Sequence, residues 1–257
     1  MLIAVDIGNS SINIGYFSEK GLIVQKFDTK PLRKASEYSL ILSDFLLQNH
    51  IEKKDFNGII SSVVISHTSV LRNALELLLD KQVIDILIVD HKMNTGLEFK
   101  IRKPEEIGAD RIANAVGAWE MYKTRVAVVD FGTATTITVV DKDANYIGGS
   151  IMPGIGLMND MLGKRTSKLK SIALKPQESA LGKDTTECIS SGLFYGTAGA
   201  VERILEEIEK ETGIGFRVVV TGGHCQTVEK FIRRPHDIKP DLTLQGLKIL
   251  YEKNRPS

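Results

Sequence analysis

Two short stretches of the chain each place a carboxylate where phosphate chemistry can use it. Ile3 to Phe17 reads IAVDIGNSSINIGYF, and Ala127 to Asp141 reads AVVDFGTATTITVVD. Overlaid without gaps, Asp6 falls on Asp130, Gly8 on Gly132, Asn9 on Thr133 and Ser11 on Thr135. In both, a β-branched run ends in Asp-x-Gly and passes through small hydroxyl or amide residues into a second apolar run. The glycine allows close backbone approach. Backbone N–H groups beside Asn9, Ser10 and Ser11, or beside Thr133, Thr135 and Thr136, form a cradle for phosphate oxygens. Asp6, at a strand end, suits a hydrated Mg²⁺. A single Asp-x-Gly turn is more often an ordinary turn. Two copies change that reading: paired hairpins facing a cleft grip one polyphosphate from both sides, and a cation between the carboxylates relieves their repulsion.

Two further segments carry chemistry. Thr221-Gly222-Gly223-His224 follows a buried run, and its glycines let a flat ligand lie against the backbone, which suits the adenosine side of ATP. A tight strand-to-helix turn explains it equally well. Asp110, in Gly108-Ala109-Asp110-Arg111, begins a helical pattern beside a guanidinium that favours its ionised form. Either it is a general base for an acceptor hydroxyl or it answers the helix dipole and pairs with arginine.

The elements that must position these residues follow from hydrophobic period. Strand-like runs are Leu2 to Ile7, Ile12 to Phe17, Leu22 to Phe27, Ile59 to Ile65 and Val83 to Val89. Tyr38, Ile41, Leu42 and Phe45, and then Leu71, Ala74, Leu75 and Leu78, are spaced as helix faces. The first half reads β-β-β-α-β-α-β, with antiparallel leading strands and later parallel ones. The second half repeats the plan: strands Arg125 to Asp130, Thr135 to Asp141 and Tyr146 to Ser150, a helix bearing Val201, Ile204, Leu205 and Ile208 that stops at Gly213, and a strand in Phe216 to His224. A helix from Glu105 links the halves, and a short helix around Leu244 to Tyr251 closes the chain. Pro153 to Ser190 reads as a long irregular stretch of the kind that is functional or mobile. The expected class is α/β, with two duplicated halves, 1–115 and 116–257, made of mixed sheets flanked by helices and an ATP cleft between them.

Composition narrows the function. The 257 residues are 42% hydrophobic and 25% charged, with a formal net charge of +1, so no overall field draws nucleic acid or anionic membrane. Cys188 and Cys225 lack metal or redox spacing and fit a reducing cytoplasm. No signal-like start and no bilayer-length apolar run is seen. Gly163-Lys164 lacks the spacing and the hydroxyl of a Walker loop. His67, His91, His224 and His236 lack metal-ligand spacing and read as surface or core histidines.

Taken together, DIGNSS (6–11), PEEIGADR (104–111), DFGTATT (130–136), GGSIMPG (148–154), LGKDT (181–185), SGLFYG (191–196) and TGG (221–223) resemble the type III pantothenate kinases, within the actin, hexokinase and Hsp70-like phosphotransferases. These motifs stand in the family's order over nearly the full length. The resemblance implies a ribonuclease H-like fold in each half and ATP-dependent phosphorylation of pantothenate to 4′-phosphopantothenate, the first step of coenzyme A synthesis. It implies that Asp110 is the proton acceptor and that Gly108, Ala109, Asp110 and Arg111 line the pantothenate site. It implies ATP contacts from Asp6, Ile7, Gly8, Asn9, Ser10, Ser11, Ile12 and Asn13, a phosphate contact from Thr133, and a monovalent cation, K⁺ or NH₄⁺, on Asp130. Thr185 matches a pantothenate-contacting threonine; a helix N-cap is its plain alternative. A homodimer is implied too, and the apolar residues of the Glu105 to Tyr122 helix are candidates for its surface. Two departures stand out: Lys100 to Pro104 lacks a tyrosine that many members carry before the proline, and the family's Ser-Val-Val-Pro is Ser62-Val63-Val64-Ile65 here.

Rival readings are a kinase for a sugar or acetate, an accessory transcription factor acting as a binding protein, and an actin-like filament protein. The absence of a DNA-reading module disfavours the second, and the short chain disfavours the third.

Overall fold

The computed structural model describes residues 1–52, 56–79, 86–213 and 215–255. In chain order the first elements are β1 (Leu2–Ile7), β2 (Ser11–Ser18), β3 (Gly21–Asp28), α1 (Ala35–Gln48), β4 (Asn57–Ser62), α2 (Ile65–Leu78) and β5 (Ile86–Ile88). Then come β6 (Glu98–Phe99), α3 (Ala109–Tyr122), β7 (Val126–Phe131), β8 (Ala134–Val140), β9 (Asn145–Pro153), α4 (Ile155–Arg165) and α5 (Thr185–Thr212). The chain closes with β10 (Arg217–Thr221), the short α6 (Cys225–Val228), β11 (His236–Ile238) and α7 (Leu242–Asn254).

The chain divides into two compact units. The first takes Met1–Leu97, Arg102–Gly117 and Thr243–Ser257; the second takes Glu98–Ile101 and Ala118–Leu242. The first unit holds a five-stranded sheet in the order β3-β2-β1-β4-β5. Tight turns make β1, β2 and β3 antiparallel, while β4 and β5, reached through helices, run parallel to β1. Tyr38, Leu42 and Leu46 of α1 and Leu71, Ala74 and Leu75 of α2 cover one face and share a core with Ile3, Val5, Ile12 and Ile14. On α7, Leu244 lies close to Gly15 of β2, and the Thr243 hydroxyl donates to Asn114 Oδ1 on α3 at 2.8 Å.

The second unit holds a six-stranded sheet in the order β11-β10-β7-β8-β9-β6. Apart from the edge strand β6, it repeats the first plan: a three-strand antiparallel meander, then two parallel strands on its far side. Its core joins Ala127, Val129 and Phe131 to Leu193, Val201 and Leu205 of α5. Exposure repeats as well. β1 and β7 are buried throughout except at the fifth residue, which is Asp6 in one and Asp130 in the other.

Three expectations change. Ile65 is not strand but the first residue of α2, 91% exposed. It occupies the N1 position, where proline is well tolerated, so the family's Pro and this Ile serve the same helix start. The stretch Pro153 to Ser190 is less irregular than expected, since α4 and the start of α5 lie in it. The helix expected from Glu105 begins at Ala109, and on it Ile112, Ala113, Ala115, Val116 and Ala118 are wholly buried while Met121 is 43% exposed. Val83 to Asp85, the start of the expected fifth strand, lie outside the described residues.

Candidate active site

In the first unit, β1 ends at Asp6-Ile7 and the chain turns through Gly8 to Ser11 into β2. The Gly8 N–H donates to the Ser11 carbonyl at 3.0 Å and closes the turn. Asn9 and Ser10 at the tip are exposed. Ile7 and Ile12 are fully buried, so any ATP contact they make is through backbone. Asp6 pairs across the hairpin with Asn13, and the buried Ser61 hydroxyl of β4 donates to Asp6 Oδ1 at 3.1 Å. That bond fixes the carboxylate rotamer at the C-terminal end of the parallel pair β1–β4.

The Gly108–Arg111 segment reaches the same end of this sheet. The Val63 N–H donates to the Ile7 carbonyl at 3.0 Å, and a Cβ on Gly108 would lie 3.5 Å from Val63 Cγ1. Asp110 enters in the first turn of α3, and its Oδ1 accepts from the Arg111 N–H at 2.8 Å. The carboxylate folds back over Gly108, where any Cβ would overlap it. Burial pushes the Asp110 pKa above the ordinary carboxylate value, and the Arg111 N–H and guanidinium oppose that shift. A desolvated carboxylate with a raised pKa has the character of a general base. The hairpin Asp6–Asn13 and the Gly108–Arg111 segment are thus brought together within one unit.

In the second unit, Asp130 ends β7 and the hairpin passes through Gly132 and Thr133. Strand pairing corrects the gapless overlay. Asp6 pairs with Asn13, but Asp130 pairs with Thr136, and Ile12 corresponds to Thr135 rather than to Thr136. The second turn is one residue tighter, so Ser11 corresponds to Ala134 and Ser10 to Thr133. Thr135 therefore points into the core, 1% exposed, and among the described residues its hydroxyl meets no hydrogen-bond partner.

Gly222 packs directly on Asp130. Its φ is +95°, and a Cβ there would overlap Asp130 Oδ1 and the Phe131 backbone. A Cβ on Gly132 would approach Asp130 Oδ1 to 3.2 Å. The His224 N–H donates to the Phe131 carbonyl at 3.0 Å, tying the glycine turn to the hairpin. Burial raises the pKa of the neighbouring Cys225 thiol, with the Asp130 charge contributing. The Gly132 and Gly222 backbones thus pack closely against the Asp130 carboxylate. Among the described residues, no three His, Cys, Asp or Glu side chains gather to hold a metal ion.

Thr185 is the first residue of α5. Asp184, not Thr185, is the N-cap of α5, accepting from the Glu187 N–H at 2.8 Å, so the exposed Thr185 hydroxyl is left to other contacts. It lines an open groove of about 970 Å³ with Met158, Leu162 and Arg165 of α4, Lys183 just before α5 and Ile189 in its first turns. Sequence reasoning did not single out Ser61 or Thr29 and read His67 as a surface or core histidine, although all three bond to the first hairpin or to its support. A polar residue on the apolar stripe that Leu71, Ala74, Leu75 and Leu78 define was the available signal for His67.

A family description, type III pantothenate kinase, matches residues 2–207. A type III pantothenate kinase of Dictyoglomus turgidum is 38% identical over 258 residues, covering 99% of this chain and 100% of the relative. Among solved structures, a Campylobacter jejuni protein provisionally assigned to the Baf family of transcriptional activators aligns with a TM-score of 0.60 at 18% identity over 97% of both chains. The activator of 2-hydroxyisocaproyl-CoA dehydratase from Clostridium difficile, with bound ADPNP, aligns with a TM-score of 0.56 at 10% identity, over 97% of this chain and 93% of its own. These two structural likenesses show the fold.

Proposed function

The chain belongs to the type III pantothenate kinases, which phosphorylate pantothenate with ATP in coenzyme A biosynthesis, and we propose that it performs this transfer with Asp110 as general base. The observation that carries the role is the placement of a desolvated Asp110 at the same sheet end as the Asp6–Asn13 hairpin.

Transfer of the γ-phosphoryl group asks the protein for position and charge stabilisation. Backbone N–H groups and the Asn9, Ser10 and Ser11 side chains hold phosphate oxygens, as does Thr133 of the second hairpin. Gly108 to Arg111 and Thr185 hold pantothenate. The terminal hydroxyl attacks phosphorus in line, the bond to the β-phosphate oxygen breaks, and ADP leaves. Asp110 accepts the hydroxyl proton as the new O–P bond forms. Asp6 would hold Mg²⁺ through water and Asp130 a monovalent cation, K⁺ or NH₄⁺. Bound cations neutralise the crowded phosphate charge.

The sequence halves 1–115 and 116–257 are two copies of one plan, a reading supported by the repeated strand order and burial. A homodimer is supported by Ile151, Leu157, Met161 and Leu181, large apolar side chains exposed on the second unit. A cytoplasmic location is supported by two free cysteines, one exposed. Among the described residues, no helix is long and apolar enough to cross a membrane.

The test is a mass-spectrometric assay for 4′-phosphopantothenate with ATP and Mg²⁺, with and without K⁺, and with a sugar and acetate as competing acceptors. Product from pantothenate, enhanced by K⁺, is expected. Preferred phosphorylation of a competitor, or no product at all, would contradict the reading.

A further inference from the structure

A chain of hydrogen bonds behind the first hairpin involves two buried residues with no part in the chemistry above. Thr29 follows β3 directly and is 2% exposed. Its N–H donates to the Ser10 carbonyl at 3.1 Å, and its hydroxyl donates to the Gly8 carbonyl at 2.7 Å. One residue thus grips the turn at its entry and at its tip. The Thr29 carbonyl in turn lies 2.8 Å from Nε2 of His67, which is 5% exposed on α2. A carbonyl only accepts, so this contact assigns the proton to Nε2. Nδ1, 3.2 Å from the Ser66 hydroxyl, then accepts from it.

We propose that Thr29 and His67 form a tether that locks the Gly8–Ser11 turn in its phosphate-binding shape, making both of them positioning residues for phosphoryl transfer. A phosphate cradle works only if its N–H groups converge before the ligand arrives, and the tip of this turn is exposed. The Gly8 and Ser10 carbonyls must point away from the phosphate side for the intervening N–H groups to face it. Thr29 holds both carbonyls turned inward. His67 holds Thr29 against α2, so the turn is referenced to the packed core rather than to solvent. The inference rests on reading this hairpin as the ATP-phosphate turn.

The test measures nucleotide binding apart from catalysis. Mg·ATP is titrated by fluorescence onto wild type, Thr29→Val, Thr29→Ser, His67→Phe and His67→Gln, and KM is determined for ATP and for pantothenate. Thr29→Val, which keeps shape but removes the donor to Gly8, is expected to weaken ATP binding about tenfold. KM for pantothenate should stay unchanged, and amide exchange over residues 8–11 should accelerate. Thr29→Ser restores the hydroxyl and should bring the ATP Kd back to within about twofold of wild type. His67→Phe should follow Thr29→Val, while His67→Gln, whose amide can donate to the Thr29 carbonyl, should recover most of the affinity. An unchanged ATP Kd in Thr29→Val, a Thr29→Ser as weak as the valine variant, or a loss shared equally by both substrates overturns the tether. If Thr29→Val does not fold, the two His67 variants decide by the same comparison. If wild type binds ATP but leaves pantothenate untouched, and the variants still follow this order, the tether stands and the substrate reading falls.

Discussion

The two hairpins share a plan and are braced by different means. Thr29 and Gly154 occupy the same place: each follows the third strand of its meander, and each donates its N–H to the tip of its turn, to Ser10 at 3.1 Å and to Thr133 at 3.0 Å. In the first hairpin, the Thr29 side chain fills the space and bonds to Gly8. In the second there is no such space. Gly154 lies against the Gly132 and Thr133 carbonyls so closely that a Cβ would overlap both. One turn is braced by a removable hydroxyl and the other by direct backbone packing. The difference follows from length, since the second turn is one residue shorter and its tip is drawn down onto the start of α4.

The sharpest way to break this comparison is to exchange the brace. Gly154→Ala puts a methyl into two carbonyl oxygens and should cost about 3 kcal/mol, the upper end of overpacking penalties. Urea denaturation measures it; a loss below about 1 kcal/mol would show that the second turn has slack. A smaller effect is expected from making the paired core positions alike. Ile12→Thr places in the first hairpin the buried hydroxyl that the second already carries, and should cost about 2 kcal/mol. The converse, Thr135→Val, removes a buried hydroxyl without a partner and should stabilise by about 1 kcal/mol. A destabilised Thr135→Val would mean that the hydroxyl has a bonding role in the working protein.

Much of this was legible in the sequence because it rests on local pattern. β1 and β7 were readable from their β-branched runs, and the paired acids from their identical position at a strand end. The stop of α5 at Gly213, where φ is +67°, was readable from the glycine alone. The one-residue slip was not, because small polar residues fill both turns and no gapless overlay distinguishes Ser11–Thr135 from Ser11–Ala134. α4 was hidden by its glycines, methionines and polar residues, which give little helical period; β9 and the Gly154 packing place it. Thr29 is polar and outside every motif, and only the return of β3 beside the first turn shows its role. The sequence reading offered Thr185 as the N-cap of α5, and the Asp184 bond to the Glu187 N–H gives that place to the residue before it.

Asp110 carries the central claim, and its two protonation states make separable predictions. Burial raises its folded-state pKa above the unfolded value, so the folded protein holds the proton more tightly. The ionised carboxylate therefore costs stability, a cost absent below the unfolded pKa and complete above the folded one. Asp110→Asn should accordingly melt no lower than wild type at neutral pH. Wild-type turnover should fall as pH drops through the raised pKa, because the base becomes protonated.

Single-turnover formation of 4′-phosphopantothenate in Asp110→Asn, with ATP and pantothenate affinities measured alongside, tests the role of this carboxylate most directly. The expected rate is lower by about 10²- to 10⁴-fold, with both affinities and the fold retained. A wild-type rate in that variant would contradict it.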